Sequence, residues 1–418
     1  MWIQLERITL SKLTTVLHPL RTVTFGGVFL LAIACGSDSS ASEPTSAINF
    51  AAPTVNVPDD LPPARGTATP QLSAEGLMQN PGGPEFTNNQ EWFNSEPTSI
   101  GSLNREGQVV LIDFWTYTCI NCIRTLPFLL DWDKKYGDRG LTIVGVHSPE
   151  FEFEEVAKNV QSAIDRYGIE YPVVQDNRMA TWNAFNNRFW PAKYLIDTTG
   201  DVVYTHFGEG EYTKTEREIR LALEAAGNDV SDIPIGTEEG PGRDPSATSQ
   251  TRELYGGYGR NYSNNGLYAG QPEYYDAPDQ QVLYTDNVPH QDGHWYLQGA
   301  WTNGVEAIVH ARETTDFEDY LVFKFLARSV NVVINPIGKT DPFKVLVELE
   351  GRPIKVEDAG EDVQYDDEGK SFITVDSFGR EYRIVELERW GESELTLRPN
   401  SDAFKMFAVT FGSNLDGA

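Results

Sequence analysis

The sequence predicts an α/β domain with a mixed sheet and helices on both faces, followed by an all-β domain of the jelly-roll sandwich type. Strand and helix patterns alternate through residues 85–227, whereas short β runs recur through residues 251–414. Segments rich in Ser, Thr, Pro and Gly precede and separate these two regions. Alternation of strands and helices predicts a mostly parallel sheet, and regularly spaced short strands predict a sandwich. At 418 residues, the chain is long enough for both domains.

The first 34 residues have the pattern of a signal peptide. Basic residues in 1–22 precede VTFGGVFLLAIA, an uncharged stretch that is too short to span a bilayer and has the length of a signal-peptide core. LAIAC, ending at Cys35, resembles a bacterial lipobox, whose cysteine is lipidated. We therefore expect an extracytoplasmic chain, lipid-anchored to the cell membrane through Cys35 on its periplasmic or outer side. An ordinary cleaved signal peptide and an uncleaved anchor are the alternatives.

Two segments have the composition of linkers. Residues 36–84 are rich in Ser, Thr, Pro and Ala and show no hydrophobic period. Such a segment cannot bury enough apolar surface to fold, so it predicts a disordered tether. Residues 228–250 have a similar composition and predict the linker between the two domains.

A strand, a helix and a second strand are predicted at the centre of the first domain. VVLIDFW, residues 109–115, is a nearly continuous apolar run, which is typical of a strand covered on both faces. The helical pattern that follows begins at the C-x-x-C motif and ends before Gly137, with Pro127 as an expected kink. LTIVGVHS, residues 141–148, predicts the second buried strand.

The rest of the first domain continues this alternation. A helical pattern in FEEVAKNVQSAIDRYG precedes a short strand, a short helix and two strands joined by a TTGD turn. The last helix is predicted to begin near Thr213, where Glu216 three residues later fits a capping box. The two joined strands add an antiparallel edge to the sheet.

The cysteines indicate a redox pair. The chain has three, Cys35, Cys119 and Cys122, too few for a disulfide-stapled scaffold or a four-cysteine zinc site. The six histidines show no paired spacing downstream that would complete a mixed zinc site. Two cysteines at C-x-x-C spacing directly after a strand are typical of thiol-disulfide chemistry. A metal knuckle and two inert thiols are the alternatives, and we expect neither a metal nor a cofactor.

The motifs around this pair resemble the thioredoxin superfamily. Asp113 lies in the strand six residues before Cys119, and Pro127 lies eight residues after it. Farther on, Pro191 in RFWPAKYLID resembles the cis-proline of that superfamily. The long spacing between Cys119 and Pro191 is similar to that in TlpA-type and redoxin-type members. The sequences of the two segments WTYTCINCIRTLP and RFWPAKYLID are more similar still to the periplasmic redoxin region of the mycobacterial DipZ family.

This resemblance implies a role for each residue. Unpaired N–H groups at a helix N-terminus favour a thiolate at Cys119, which would be the attacking thiol, and Cys122 would resolve the mixed disulfide. Asp113, buried behind the pair, would transfer the proton during resolution. Pro191 would face the pair and expose backbone groups to an extended client, and Trp190 would shape the client groove. A structural thiol at Cys122, a backbone-capping role for Asp113 and a core position for Trp190 are the alternatives.

A thiol-disulfide oxidoreductase is the function that these features predict. Its expected partners are client proteins with thiols or disulfides and a membrane electron donor of the DsbD or CcdA type, with cytochrome c maturation as an expected setting. A net charge of −29 argues against nucleic acid as a partner, because its phosphates require clustered basic residues.

A peroxiredoxin-like peroxidase is an alternative function, because Thr116 precedes Cys119 as in a T-x-x-C motif. However, Ile112 stands where that motif has proline.

The second domain resembles the carbohydrate-binding-module-like domain that follows the redoxin region of the DipZ family. In FKVLVELE, residues 343–350, side chains alternate between apolar and polar with one exception, as in a strand with one buried face. Exposed aromatic rings could stack on a sugar, and the candidates are Tyr255, Tyr258, Tyr262 and Trp301. Envelope glycan binding with an accessory redox domain is therefore an alternative function, and core packing is the alternative role of these rings.

Overall fold

The computed structural model describes residues 83–415, except 237–239, 241, 261–266, 337 and 339–340. The predicted signal peptide, Cys35, nearly all of the first linker and Tyr262 lie outside the described residues. The first domain comprises residues 83–227, and the β domain comprises residues 251–415.

The first domain alternates strands and helices as predicted. Its elements are β1 Trp92–Phe93, α1 Ile100–Arg105, β2 Val109–Trp115, α2 Ile120–Tyr136, β3 Leu141–His147, α3 Ala157–Tyr167, β4 Val173–Gln175, α4 Ala180–Ala184, β5 Ala192–Ile196, β6 Val202–Phe207 and α5 Tyr212–Ala225, with short 3₁₀ turns at Gly137–Arg139 and Glu152–Glu155. The six strands form one sheet in the order β1-β4-β3-β2-β5-β6. Strands β2, β3 and β4 are parallel, and β1, β5 and β6 are antiparallel to their neighbours. The prediction of a mixed sheet is confirmed.

Helices cover both faces of this sheet because the side chains of β2 alternate. Leu111 and Trp115 pack in one apolar cluster with residues of α2, α3 and α5. Val110 and Phe114 pack in a second cluster with residues of α1 and α4. Successive residues of a strand point to opposite faces, so Asp113 lies on the same face as Leu111 and Trp115, the face covered by α2.

The start of α5 differs from the prediction. The helix begins at Tyr212 after Glu211, a residue with φ of 50° that makes no capping hydrogen bond through its side chain. Glu216 does not complete a capping box. Its buried carboxylate instead accepts hydrogen bonds from the Tyr136 hydroxyl at 2.7 Å and from the backbone N–H of Gly236 at 2.8 Å. These tertiary contacts satisfy the carboxylate, so the capping prediction is wrong.

The β domain is mostly strand, as predicted. Its elements are β7 Leu254–Tyr255, the short helix α6 Glu273–Asp276, β8 Gln281–Tyr284, β9 Trp295–Asn303, β10 Ile308–His310, β11 Tyr320–Ile334, β12 Phe343–Leu349, β13 Arg352–Pro353, a 3₁₀ turn at Val356–Asp358, β14 Gln364–Tyr365, β15 Ser371–Val375, β16 Arg380–Pro399 and β17 Lys405–Gly412. Within the described part of the domain, these eleven strands form one hydrogen-bonded sheet with antiparallel pairs.

Two strands of this sheet, β11 and β16, are unusually long. The apolar runs YLVFKFLA and VNVVI are joined in one continuous strand, β11, and the runs YRIVELE and ELTLRP are joined in another, β16. Their pairing shifts register between Ala327 and Ser329, where residues 387–390 of β16 have no partner on β11. A bulge of this kind bends a strand without ending it, which explains why the sequence pattern is interrupted while the strand continues.

The two domains share apolar contacts. The ring of Phe407, on β17, lies 5.2 Å from the ring of Phe151 and 4.8 Å from that of Phe153, centroid to centroid, in edge-to-face geometry. A Cβ atom at Gly379 would come within 2.6 Å of the Phe153 ring, so only glycine fits this approach without a shift. The β domain is therefore packed directly against the first domain.

Among the helices in the described ranges, we find none that combines the length and the apolar composition required to cross a bilayer.

Replacing Phe407 with alanine tests this shared core. Because the buried ring contacts both domains, we expect Phe407→Ala to lower the free energy of unfolding by about 3 to 5 kcal/mol, the usual cost of emptying a buried aromatic site. Urea denaturation followed by circular dichroism measures this loss. The control is Leu283→Ala, at a side chain that is 74% exposed, which should stay within about 0.5 kcal/mol of the native protein. A loss of similar size in both variants would contradict the shared core.

Candidate active site

The C-x-x-C motif forms the N-terminus of α2. Cys119 is the residue that caps the helix, and its Sγ accepts a hydrogen bond from the backbone N–H of Cys122 at 3.3 Å. Cys119 is partly exposed, whereas Cys122 is 1% exposed, and both are free thiols. One sulfur is therefore accessible from outside, and the other is enclosed by the protein.

Asp113 lies buried behind this pair, opposite a lysine that the sequence analysis missed. In the antiparallel pairing of β2 with β5, Asp113 is directly opposite Lys193. The Lys193 Nζ is 3.7 Å from Asp113 Oδ1, and both side chains are buried. A charge buried in a protein interior requires a partner, and these two residues provide one for each other.

This buried environment changes the pKa values of three groups. Burial raises the pKa of Asp113 to about 6, and the charge of Lys193 limits the rise. Burial also lowers the pKa of Lys193 from its usual value. The pKa of the Cys122 thiol is raised well above its usual value, first by burial and then by Cys119, with a further contribution from the charge of Asp113. Asp113, with a pKa of about 6, and Cys122, whose thiol has a raised pKa, thus interact through charge in the same buried region.

The loop before β5 lies beside Cys119. The Trp190–Pro191 peptide bond is cis. The Trp190 indole N–H donates to the backbone carbonyl of Ser148 at 3.0 Å, and its ring lies 4.3 Å from the ring of Trp182. Trp190 also lines the cleft into which Cys119 opens, so it combines a packing contact with a position at the site.

This cleft has a volume of about 450 Å³ and two walls. One wall comes from the first domain and includes Cys119 and Trp190, and the other comes from the β domain and includes Thr410 and Phe411. The complete lining is Thr118, Cys119, Ile120, Asn121, Arg124, Glu150, Arg188, Phe189, Trp190, Glu209, Gln250, Thr251, Arg252, Glu253, Tyr255, Val333, Ala408, Thr410, Phe411, Gly412, Ser413 and Asn414. The involvement of the β domain was not foreseen from the sequence.

A second buried carboxylate lies next to the cysteines. The Thr118 hydroxyl donates to Glu154 Oε1 at 2.5 Å, and Glu154 Oε2 accepts from the backbone N–H of Phe151 at 3.1 Å. Burial raises the pKa of Glu154 to about 7. These contacts fix the segment 148–154 against the residue that precedes Cys119.

His147 and Thr116 are packed together beneath the motif. The Thr116 hydroxyl lies 3.4 Å from His147 Nε2, and the histidine ring stacks on Tyr117 with 5.5 Å between centroids. Burial lowers the pKa of His147 to about 3, so the ring is neutral at physiological pH. The structure therefore places His147 in the core.

The three described candidates for sugar stacking differ in their surroundings. Trp301 is fully buried, its indole N–H donates to the Gln298 carbonyl at 2.8 Å, and so the prediction that it is an exposed ligand aromatic is wrong. The Tyr258 hydroxyl donates to Asp279 at 2.9 Å. Tyr255 lies at the contact between domains, with its hydroxyl 3.0 Å from Glu150. Tyr262, the fourth candidate, is outside the described residues.

Across residues 83–415, apart from the gaps given above, no cluster of three histidine, cysteine or carboxylate side chains is arranged to hold a metal ion.

Comparison with known families defines the class of each domain. Residues 80–223 match the family described as Redoxin, and residues 251–412 match the family described as Thioredoxin like C-terminal domain. The first domain is therefore a thioredoxin-like redoxin domain, and the β domain is of the type found at the C-terminus of thioredoxin-like proteins.

The chain is also similar to particular proteins. It is 32% identical to Protein DipZ of Mycobacterium tuberculosis over 336 residues, which cover 79% of this chain and 42% of DipZ. It is 28% identical to the thiol-disulfide oxidoreductase YkuV of Bacillus subtilis over 140 residues, 34% of this chain and 93% of YkuV. It is 32% identical to the thiol-disulfide oxidoreductase ResA of Halalkalibacterium halodurans over 113 residues, 27% of this chain and 61% of ResA. The chain thus spans less than half the length of the DipZ protein that it matches.

Removing the cation beside Asp113 should raise the pKa of that carboxyl further. Lys193→Met keeps an unbranched side chain of similar length and deletes the charge that holds the Asp113 pKa near 6. We expect the midpoint of the Asp113 titration to rise by about one to three pH units, measured by NMR of ¹³C-labelled carboxyl groups. Lys405→Met, which deletes a half-buried lysine elsewhere in the structure, is the matched control and should leave the midpoint unchanged. An unchanged midpoint in Lys193→Met would show that the pair does not interact.

Proposed function

We propose that this chain is an extracytoplasmic, membrane-tethered thiol-disulfide oxidoreductase that exchanges disulfides with client proteins through Cys119 and Cys122. The arrangement of the two thiols is the observation that carries the proposal. Cys119 caps a helix and opens into a cleft, and Cys122 is buried one turn along the same helix. The similarity to YkuV and ResA, both named thiol-disulfide oxidoreductases, supports it.

The first half of the reaction takes place at Cys119. Its thiolate attacks one sulfur of a client disulfide, the client S–S bond breaks, and the second client sulfur leaves and takes up a proton. The product is a mixed disulfide between Cys119 and the client. The Cys119 sulfur lies at the helix N-terminus, where the backbone N–H of Cys122 donates a hydrogen bond to it.

The second half requires a proton to leave Cys122. Its raised pKa keeps the thiol protonated at neutral pH, so a base is needed, and Asp113, whose pKa is about 6, is ionised there. Asp113 accepts the proton, and the Cys122 thiolate attacks the Cys119 sulfur. The client sulfur that was bound to Cys119 leaves as a thiolate, the Cys119–Cys122 disulfide forms, and the client has gained two electrons. The reverse sequence oxidises a client dithiol.

The tether and the electron donor are further parts of the proposal. The lipobox-like sequence ending at Cys35 supports a lipid anchor on the periplasmic or outer side of the cell membrane. An anchored dithiol would be reduced again by a membrane electron donor of the DsbD or CcdA type. The resemblance to TlpA-type proteins supports a role in cytochrome c maturation.

The two alternative functions have less support. Glycan binding loses a predicted contact because Trp301 is buried in the core of the β domain. For a peroxidase, the Thr116 hydroxyl lies against the buried His147 ring, and Ile112 replaces the proline of the peroxidase motif.

The first test is the reduction of insulin disulfides by the purified chain. We expect Cys119→Ser to abolish the activity, because the attacking sulfur is lost, and Cys122→Ser to accumulate the mixed disulfide, because resolution is lost. Turbidity follows insulin reduction, and mass spectrometry detects the mixed disulfide. Cys35→Ser removes the remaining cysteine and should keep the native rate in solution. Activity that persists unchanged in Cys119→Ser would refute the proposal.

The second test concerns the base. If Asp113 accepts the Cys122 proton, the rate should rise with pH through about 6, because only the ionised carboxylate can act. Asp113→Asn should lower the rate at pH 7 by about 100-fold or more and flatten this part of the profile. Single-turnover kinetics between pH 5 and pH 8 give both quantities. Asp131→Asn, at a half-exposed position on α2, the helix that carries Cys122, is the control. A pH profile in Asp113→Asn that matches the native one would exclude this role.

A further inference from the structure

The attacking thiol does not open onto a free surface. Ile120 and Trp190 lie on its own side of the cleft, and Arg252, Thr410 and Asn414 face it from the side of the β domain. A client that reaches Cys119 must therefore also pass along the β domain.

Polar contacts hold this second wall in place. Glu150 of the first domain forms an ion pair with Arg260 and lies 3.0 Å from the Tyr255 hydroxyl. At the other end, the Asn414 side-chain amide donates to Glu209 Oε1 at 3.4 Å. Together with the shared ring cluster around Phe407, these contacts fix the width of the cleft.

Two polar residues of the β domain lie on the side of its sheet that borders the cleft: Thr410 lines the cleft, and Asn331 is buried next to Thr410. On β11, Val332 packs in the core of the β domain, whereas Val333 lines the cleft, so Asn331 shares the cleft-side face. Asn331 is buried, and among the described residues neither its amide nitrogen nor its amide oxygen has a hydrogen-bond partner. Directly opposite Asn331 on β17 is Thr410, which is partly exposed and lines the cleft. An amide can both donate to and accept from a peptide unit.

We propose that the β domain selects the client, by admitting a disulfide carried on an extended, unfolded peptide segment and excluding one that lies in the face of a folded protein. The inference rests on the proposed oxidoreductase function and names its substrate class. A cleft of about 450 Å³ is the size of a small-ligand pocket. Docking of a folded protein face instead requires about 800 Å² of matching surface on each partner. An extended segment fits between two walls and presents its own N–H and C=O groups to them.

The chemistry of the step is unchanged by this selection. Within the cleft, the bond between the Cys119 sulfur and one client sulfur forms as the client S–S bond breaks. The other client sulfur leaves along the segment and takes up a proton. Selection acts on which disulfides come within reach of Cys119.

The experiment compares three substrates of the full chain. They are a short unstructured peptide with one internal disulfide, a folded protein with an equally solvent-exposed disulfide, and bis(2-hydroxyethyl) disulfide. For the native chain we expect kcat/KM for the peptide to exceed that for the folded protein at least tenfold, because only the peptide reaches the productive geometry.

Thr410→Trp places a large ring in the cleft from the side of the β domain. It should lower the ratio of the peptide rate to the small-disulfide rate about tenfold. Asn414→Trp, at the partly exposed rim of the same wall, gives the same readout if Thr410→Trp does not fold. Thr374→Trp, on β15 and outside the cleft, is the matched control and should keep the native ratio.

The selection would be overturned if the native chain had equal kcat/KM for the peptide and the folded protein. It would also be overturned if Thr410→Trp and Asn414→Trp both kept the native ratio of the peptide rate to the small-disulfide rate. Either result would leave the oxidoreductase function intact. Absence of activity on all three substrates would instead refute the oxidoreductase function, and the inference with it.

Discussion

The antiparallel pairing of β2 with β5 is the constraint on which the site depends. It places Asp113 directly opposite Lys193 inside the sheet, on the face covered by α2. The same strand β2 leads into the helix that Cys119 caps, and the same strand β5 follows the loop that carries Trp190. One register thus positions the proposed base, its counter-charge, the proposed attacking thiol and one side of the cleft. A shift of one residue would turn Asp113 to the opposite face.

The second constraint is the packing between domains. Thioredoxin-like chemistry needs one exposed sulfur, and an isolated domain would offer that sulfur to any surface. Here the rings of Phe151, Phe153 and Phe407 bring the β domain against the first domain, and the resulting cleft limits access to Cys119. In the proposed reaction the β domain acts through geometry, and it has no cysteine among its described residues. In this proposal, the first domain performs the chemical step and the β domain limits which clients reach it.

Sequence reasoning succeeded where the signal is local. The apolar run at 109–115 and the helix after it have the predicted bounds, because continuous burial and helical spacing are visible within a few residues. Contacts between distant residues were missed. Lys193 lies in the apolar strand AKYLI, and a lysine there, like an aspartate in VVLIDFW, signals a buried charge that needs a partner. Which partner it finds depends on strand register, which a single sequence does not show. The prediction that Trp301 is exposed was wrong for a related reason, because composition does not distinguish a core ring from an exposed one.

The most direct measurement of the central claim is an equilibrium redox titration of the full chain. The protein is equilibrated in buffers of defined thiol and disulfide ratio, its free thiols are alkylated, and the state of Cys119 and Cys122 is read by mass spectrometry. The account predicts that the two sulfurs oxidise together and reversibly into one disulfide, with a tenfold change in equilibrium for about every 30 mV, as in a two-electron couple. Two thiols that stay reduced across the range, or that react independently of each other, would contradict it.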